Sequence, residues 1–165
     1  MKRFHVHVGV ENLDQSIAFY STLFDASPTV TRTDYAKWML DDPHVNFAIS
    51  SNGHAAKGIE HLGIQAETAD ELTEVYGRLA RADRPVLEEG ATTCCYAKSE
   101  KSWIADPDGT VWETFLTSGE ATVYGDNAPL NALESANAAN AASSATGNCC
   151  APAMETAMPA KSGCC

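Results

Sequence analysis

Phe4-His5-Val6-His7-Val8-Gly9-Val10-Glu11-Asn12-Leu13-Asp14 returns 56 residues later, altered but in register, as Glu60-His61-Leu62-Gly63-Ile64-Gln65-Ala66-Glu67-Thr68-Ala69-Asp70. The correspondence runs on: Tyr20 meets Tyr76 and Leu23 meets Leu79. With a small gap, Asp42-Pro43 and Asp106-Pro107 each precede a short apolar run, Val45 to Ile49 and Val111 to Phe115. A unit that occurs twice is a duplicated module rather than a solenoid, which needs at least three.

Working outward, each copy opens on an alternating stretch. Phe4, Val6, Val8 and Val10 take one side of a strand, and His5, His7 and Gly9 the other. Leu62, Ile64 and Ala66 lie opposite His61, Gly63 and Gln65 in the same way. Asn12 or Asp14 can cap a helix through Leu13, Ile17, Tyr20 and Phe24, whose spacing is helical. Asp70 can start the second helix, through Leu72, Val75, Tyr76 and Leu79. Short strands are expected at 36–40 and 45–49, then at 93–97, 102–105 and 110–116. Asp106-Pro107-Asp108-Gly109 reads as a hairpin turn. The order is βαβββ, twice, with modules of about 1–54 and 55–119 in one domain, 1–119.

From about residue 120 the composition changes. Ala, Asn and Ser dominate 127–146 without apolar periodicity. Such a segment buries too little to offset its ordering entropy, so 120–165 reads as a disordered tail. The formal net charge of −11 argues against nucleic acid and against anionic membrane, both of which attract Lys and Arg clusters. No signal-type apolar segment and no run near the ~20 residues of a membrane span occurs, so a cytoplasmic protein with reduced thiols is expected.

All six cysteines stand in adjacent pairs, Cys94-Cys95, Cys149-Cys150 and Cys164-Cys165. Neighbouring thiols make a strained disulfide but a good clamp for one soft centre, such as trivalent arsenic, cadmium or copper(I). The first pair lies inside the domain and the other two in the tail.

Each module begins with a histidine on the polar side of its first strand, and Glu113 sits between Trp112 and Thr114 on the last. A glutamate among aromatics is rarely buried unless paired or metal-bound. Two His and one carboxylate, His5, His61 and Glu113, are the usual ligand set of non-haem Fe(II) enzymes that use oxygen. The Asp-Pro alignment puts Ile49 where the first module would carry its own carboxylate, which leaves an open three-ligand site. The alternative for each histidine alone is an ordinary hydrogen-bonded ring. His7 shares the face of His5 as an outer-shell or substrate-contacting residue; His44 and His54 fall in loops and carry no specific role.

The stretch from His5 to Tyr20, together with Glu60-His61-Leu62-Gly63 and Trp112-Glu113, resembles the vicinal oxygen chelate superfamily, which includes glyoxalase I, extradiol dioxygenases and bleomycin-type resistance proteins. Thr92-Thr93-Cys94-Cys95-Tyr96 narrows the likeness to the carbon–arsenic lyases, also known as cadmium-induced proteins. The likeness covers roughly residues 1–125. It implies an α+β fold in which paired βαβββ modules form a cup-shaped mixed sheet around a divalent metal. It implies His5, His61 and Glu113 as the metal ligands and catalytic centre, with Gln replacing the first of these in some relatives. It implies Cys94 and Cys95 as the arsenic-binding thiols. The implied activity is Fe(II)- and O2-dependent cleavage of the carbon–arsenic bond in trivalent organoarsenicals, such as methylarsenite and reduced aromatic arsenicals, with arsenite released.

The polar run 97–101 is expected to be a mobile flap over the substrate. In it Lys98 and Lys101 are candidates for contacting substrate or lowering a thiol pKa; the alternative is two solvated surface lysines. On an ideal strand Cys94 and Cys95 point to opposite faces, so a strand end or loop is expected there. Two rival functions remain open: a thiol-based cadmium or arsenic binding protein without catalysis, and a glyoxalase-like metal-dependent lyase, which would use a fourth protein ligand. Partners are the small arsenical and O2, on a monomer or a homodimer.

Overall fold

A computed structural model describes residues 1–51 and 57–122. The elements are β1 (Arg3–Gly9), α1 (Leu13–Phe24), β2 (Val30–Thr31), β3 (Tyr35–Asp41), β4 (His44–Ser50), β5 (Gly58–Ala66), α2 (Ala69–Leu79), β6 (Val86–Cys94), β7 (Ala97–Ala105) and β8 (Val111–Glu120). This is βαβββ twice. The eight strands form one sheet in the order β2-β3-β4-β1-β5-β8-β7-β6, curled into a half-barrel cup. Each module follows the same path, mirrored about the middle. β1 pairs parallel with β4, β5 parallel with β8, and β1 antiparallel with β5. The two first strands, with their histidines, therefore lie side by side at the centre of the cup.

The alternation of β1 decides which side is which. His5 and His7 are buried in the cup, while Val8 and Val10 pack with Leu13, Ile17, Tyr20 and Phe24 of the helix side around Trp38, Ala36 and Ile49. Burying a side chain such as Ile49 contributes about 1.5–3 kcal/mol. Trp38 keeps its indole N–H satisfied by donating to the Ala26 carbonyl at 3.0 Å. On the other half, α2 buries Leu72 and Val75 against the sheet.

The helices start where short polar side chains cap them. Asn12 Oδ1 accepts from the Gln15 N–H at 2.9 Å. The second helix is capped by Thr68, whose hydroxyl accepts from the Glu71 N–H at 3.2 Å, so its start lies before the expected Asp70.

Two expectations in the second module are corrected. The strand expected at 93–97 is the end of a longer one, Val86–Cys94, and Cys95-Tyr96 is a tight turn. The expected flap at 97–101 is the first half of β7, paired on both sides by β6 and β8. Its sequence looks like a loop because both faces are polar: Lys98 and Glu100 face water, and Ser99 and Lys101 face a polar cavity. The expected domain end at 119 falls inside β8. The tail from 123 on, with Cys149-Cys150 and Cys164-Cys165, and His54 lie outside the described residues.

Candidate metal and thiol site

Strand pairing brings the ligand-type residues together. His5 on β1 and His61 on β5 place their Nε2 atoms 3.3 Å apart. Glu113 on β8 places Oε2 3.6 Å from each of them. All three are buried. Two ligands each about 2.1 Å from a common ion stand about 3.0–3.5 Å apart, so the spacing of these three donors suits one ion.

Each donor is prepared electrostatically. Burial pushes the His5 imidazole down to about 3, against the pull of Glu113, so the ring is neutral at physiological pH. Its Nδ1–H donates to the Asn46 carbonyl at 2.9 Å, and a carbonyl can only accept, so Nε2 keeps its lone pair for the centre. Burial by itself would raise the Glu113 carboxyl; the ammonium of Lys101, 2.5 Å from Oε1, and the His61 ring hold it well below the usual carboxylate range. Lys101 answers in kind. Burial would lower it, but Glu113 and the two thiols hold it above its ordinary value. Glu113 thus offers one oxygen to Lys101 and the other to the histidines.

His7 completes a buried group of three rings whose donor atoms lie within 4.8 Å of one another. Its Nε2 is already engaged by Ser50 Oγ at 2.9 Å and lies 3.4 Å from Glu60 Oε2. That engagement makes His7 a weaker candidate ligand than Glu113, whose free oxygen faces both other histidines. Opposite His7 in the repeat is Gly63. A Cβ there would sit 2.6 Å from the Glu113 carbonyl oxygen and 3.3 Å from the Cβ atoms of Glu113 and His5. The absence of a side chain lets β5 and β8 close up beneath the site.

The register also corrects one alignment. Gly63 pairs with Glu113, whereas its counterpart His7 pairs with Ala48. The position equivalent to Glu113 is therefore Ala48, not Ile49, which faces the helix-side core. Ala48 cannot bind a metal either, so the site stays open on that side.

The thiols share the same cavity. Cys94 ends β6, and Cys95 and Tyr96 form the turn with φ of 54° and 60°. Both central residues in the left-handed region is the hairpin turn that matches strand twist, normally built from Asn-Gly. Non-glycine residues held there cost on the order of 1–3 kcal/mol each. Tyr96 supplies the hold: its hydroxyl donates to Asp34 of the first module at 2.7 Å, and its carbonyl accepts from the Ala121 N–H at 2.8 Å. The turn takes Cys95 out of strand alternation, so both sulfurs converge at 3.1 Å. The hydrogen bond from Cys95, helped by Lys101, draws the Cys94 thiol below its ordinary value against burial; the same bond and burial push Cys95 well up. The two thiols are thereby unequal, with Cys94 the more acidic of the pair.

His5, His7, Lys101, Glu113, Cys94 and Cys95 all line one small cavity of about 30 Å³. It adjoins a wider opening of about 410 Å³, past Cys95, Lys37 and Ala97. Of the two lysines singled out in the sequence, Lys101 points into the cavity and Lys98 does not: it is exposed on the outer face. Missed altogether is Glu60, buried beside His61 by a bulge in β5, where His7 pairs with His61 but Val8 pairs with Ile59. Strand alternation assigns Glu60 to the outside, so no signal in the sequence pattern reveals it.

Comparison with known proteins places this geometry in context. The profile of the Glyoxalase/Bleomycin resistance protein/Dioxygenase superfamily matches residues 2–114. The chain is 37% identical to a trivalent organoarsenical cleaving enzyme from Bacillus sp. (strain MD1), over 92% of both chains. It is 33% identical to one from Thermomonospora curvata, over 73% of this chain and 81% of the other. Among solved structures, a Mn(II)-bound glyoxalase from Novosphingobium aromaticivorans has a similar fold, with a TM-score of 0.51 at 18% identity, over 76% of this chain and 43% of the other. No helix among the described residues is long and apolar enough to cross a membrane.

Proposed function

The chain belongs to the Glyoxalase/Bleomycin resistance protein/Dioxygenase superfamily, and from that premise we propose that it cleaves the carbon–arsenic bond of trivalent organoarsenicals, with Fe(II) at His5, His61 and Glu113 and dioxygen as oxidant, and releases arsenite. The observation that carries this reading is the convergence of two sulfurs, 3.1 Å apart, on the cavity lined by His5, His7 and Glu113, with His61 Nε2 3.3 Å from that of His5. The names of its relatives point the same way.

The chemistry begins at the thiols. Methylarsenite carries two hydroxyls and one methyl on arsenic. Cys94, the more acidic thiol of the pair, gives up its proton and displaces one hydroxyl, which takes that proton and leaves as water. Cys95 displaces the second in the same way with its own proton, so two S–As bonds form, two S–H and two As–O bonds break, and two waters depart. The methyl is the one substituent left, and a space of about 30 Å³ accepts a group of that size. Aryl groups are larger and would extend into the wider opening.

The donor set fits Fe(II): two neutral nitrogens and one carboxylate oxygen with open positions are the ligands of oxygen-using non-haem iron sites. Bound there, the ion supplies the electron transfer and dioxygen activation that protein side chains lack. Lys101 keeps Glu113 ionised and engages its Oε1, which leaves Oε2 as the oxygen that would hold an ion. His7 and Tyr35, whose rings meet edge to face, also line the cavity. Holding both reactants on one scaffold removes much of the entropic barrier, on the order of 7–11 kcal/mol in favourable cases. The net reaction of methylarsenite balances with one O2: CH3As(OH)2 + O2 → As(OH)3 + HCHO. Carbon is oxidised, oxygen is reduced, and no outside reductant enters. A compartment that keeps thiols reduced, the cytoplasm, suits such a clamp.

The test is anaerobic loading with Fe(II) and methylarsenite, followed by a measured amount of O2. Arsenite, formaldehyde and consumed O2 are expected in equal amounts, and none of either product before oxygen. Glu113→Ala is expected to lose stoichiometric Fe(II), and His7→Ala to keep it. Binding of the arsenical without release of arsenite would leave a sequestering protein and refute the lyase.

A further inference from the structure

Behind the histidine cluster, two buried polar atoms face each other with no hydrogen-bond partner. They are Glu60 Oε2 and His61 Nδ1, 3.9 Å apart. The same carboxylate oxygen lies 3.4 Å from His7 Nε2. The Glu60 side chain is 5% exposed, and no Lys or Arg pairs with it among the described residues. A buried carboxylate in that condition calls for an explanation.

The contrast with His5 supplies one. His5 has its Nδ1–H fixed by the backbone carbonyl of Asn46. His61 has no such carbonyl, and the bulge in β5 puts Glu60 there instead. Without the extra residue, strict alternation from His61 would turn Glu60 to the outer face and Ile59, which the bulge leaves 65% exposed, inward.

We propose that Glu60 is the positioning residue for His61: its carboxylate accepts the Nδ1–H of His61, fixes the tautomer that leaves Nε2 free to bind the metal, and ties His7 into the same unit. The assignment rests on the metal site proposed above. The gap of 3.9 Å is about 1 Å longer than a hydrogen bond, and a small rotation of either side chain closes it. Such a carboxylate behind a metal-bound imidazole also makes the imidazole a better donor. The role is not catalytic, because Glu60 does not line the cavity that receives substrate.

Two readouts test it, one of them free of metal. In metal-free protein with 15N-labelled histidine, His61 is expected as the Nδ1–H tautomer, and Glu60→Leu is expected to abolish that preference. In anaerobic Fe(II) titrations, Glu60→Leu is expected to weaken binding by about 10- to 100-fold, with near-UV circular dichroism unchanged. Glu60→Gln still offers an acceptor oxygen, so it should keep the tautomer and lose less than about tenfold in affinity. Glu60→Leu with the same His61 tautomer and the same affinity as wild type overturns the assignment. If Glu60→Leu does not fold, Glu60→Ala replaces it with the same two readouts, and an unchanged His61 tautomer together with wild-type affinity overturns the assignment. Should wild-type protein bind no Fe(II), the functional reading fails on its own, and the metal-free tautomer comparison alone decides the role of Glu60.

Discussion

At the scale of single residues, the site works by setting charge states before any ligand arrives. The two thiols are chemically unequal, with Cys94 drawn down and Cys95 pushed up. Arsenical capture should therefore speed up as pH rises through the Cys94 pKa, at a midpoint below the ordinary value of 9.0. It should level off without waiting for Cys95. Stopped-flow measurement of arsenical binding against pH checks this, and a midpoint at or above the ordinary value would contradict it. Lys101 is the second such residue. Replacing it with Met leaves the Glu113 carboxylate buried without its lysine partner. Removing one partner of a buried pair costs about 3–5 kcal/mol, so Lys101→Met should unfold at lower urea in the metal-free state. A divalent ion at the site replaces the missing cation and should recover much of the loss, which urea melts with and without metal will show. The residue types of the site were legible in the sequence; the pairing of Lys101 with Glu113 was not, because a lysine between polar neighbours has the pattern of a surface residue.

At the scale of elements, close approach and strain do the positioning. β5 and β8 meet at Gly63, where a methyl group would collide with backbone at 2.6 Å. Gly63→Ala is expected to push the strands apart, cost about 1–3 kcal/mol as overpacking does, and separate His61 from Glu113. Metal affinity should fall more than stability, and parallel Fe(II) titration and denaturation would show it. The repeat pointed to a glycine at the place of His7 but not to its cause, since pairing of β5 with β8 lies about 50 residues away along the chain. The hairpin at Cys95-Tyr96 is similar. Adjacent cysteines implied that a regular strand must break there. The break is made by positive φ at Cys95 and Tyr96 themselves, and the Asp34 anchor that holds it comes from the other module.

At the scale of the whole molecule, the duplication places first strand against first strand, so one site forms where two half-sites meet. Only one module contributes a carboxylate, since Ala48 takes the equivalent place. The chain after β8 brings a consequence for truncation. Ala121 N–H donates to the Tyr96 carbonyl at 2.8 Å, so the end of the sheet helps to hold the thiol turn. Removing everything after Thr122 keeps that bond and every described contact of the site, so the maximal rate should stay within about twofold. Removing everything after Gly119 should lower it, because the turn loses that bond. Steady-state assays of the two truncations separate the cases, and equal rates would deny the turn its support from β8.

The sequence by itself determined the double βαβββ order and the face that the strand histidines take, and it singled out the candidate donors and the adjacent thiols that the fold brings close together. Those features follow from periodicity and repetition, which are local and add up along the chain. Tertiary structure alone decided that the strand expected at 102–105 begins at Ala97 with Lys101 inside, that Ala48 rather than Ile49 fills the vacant ligand place, and that Glu60 turns inward beside His61. Each of these depends on which strands pair and with what register. A one-residue bulge is enough to reverse the side a residue faces, and the order of residues along one strand does not record it.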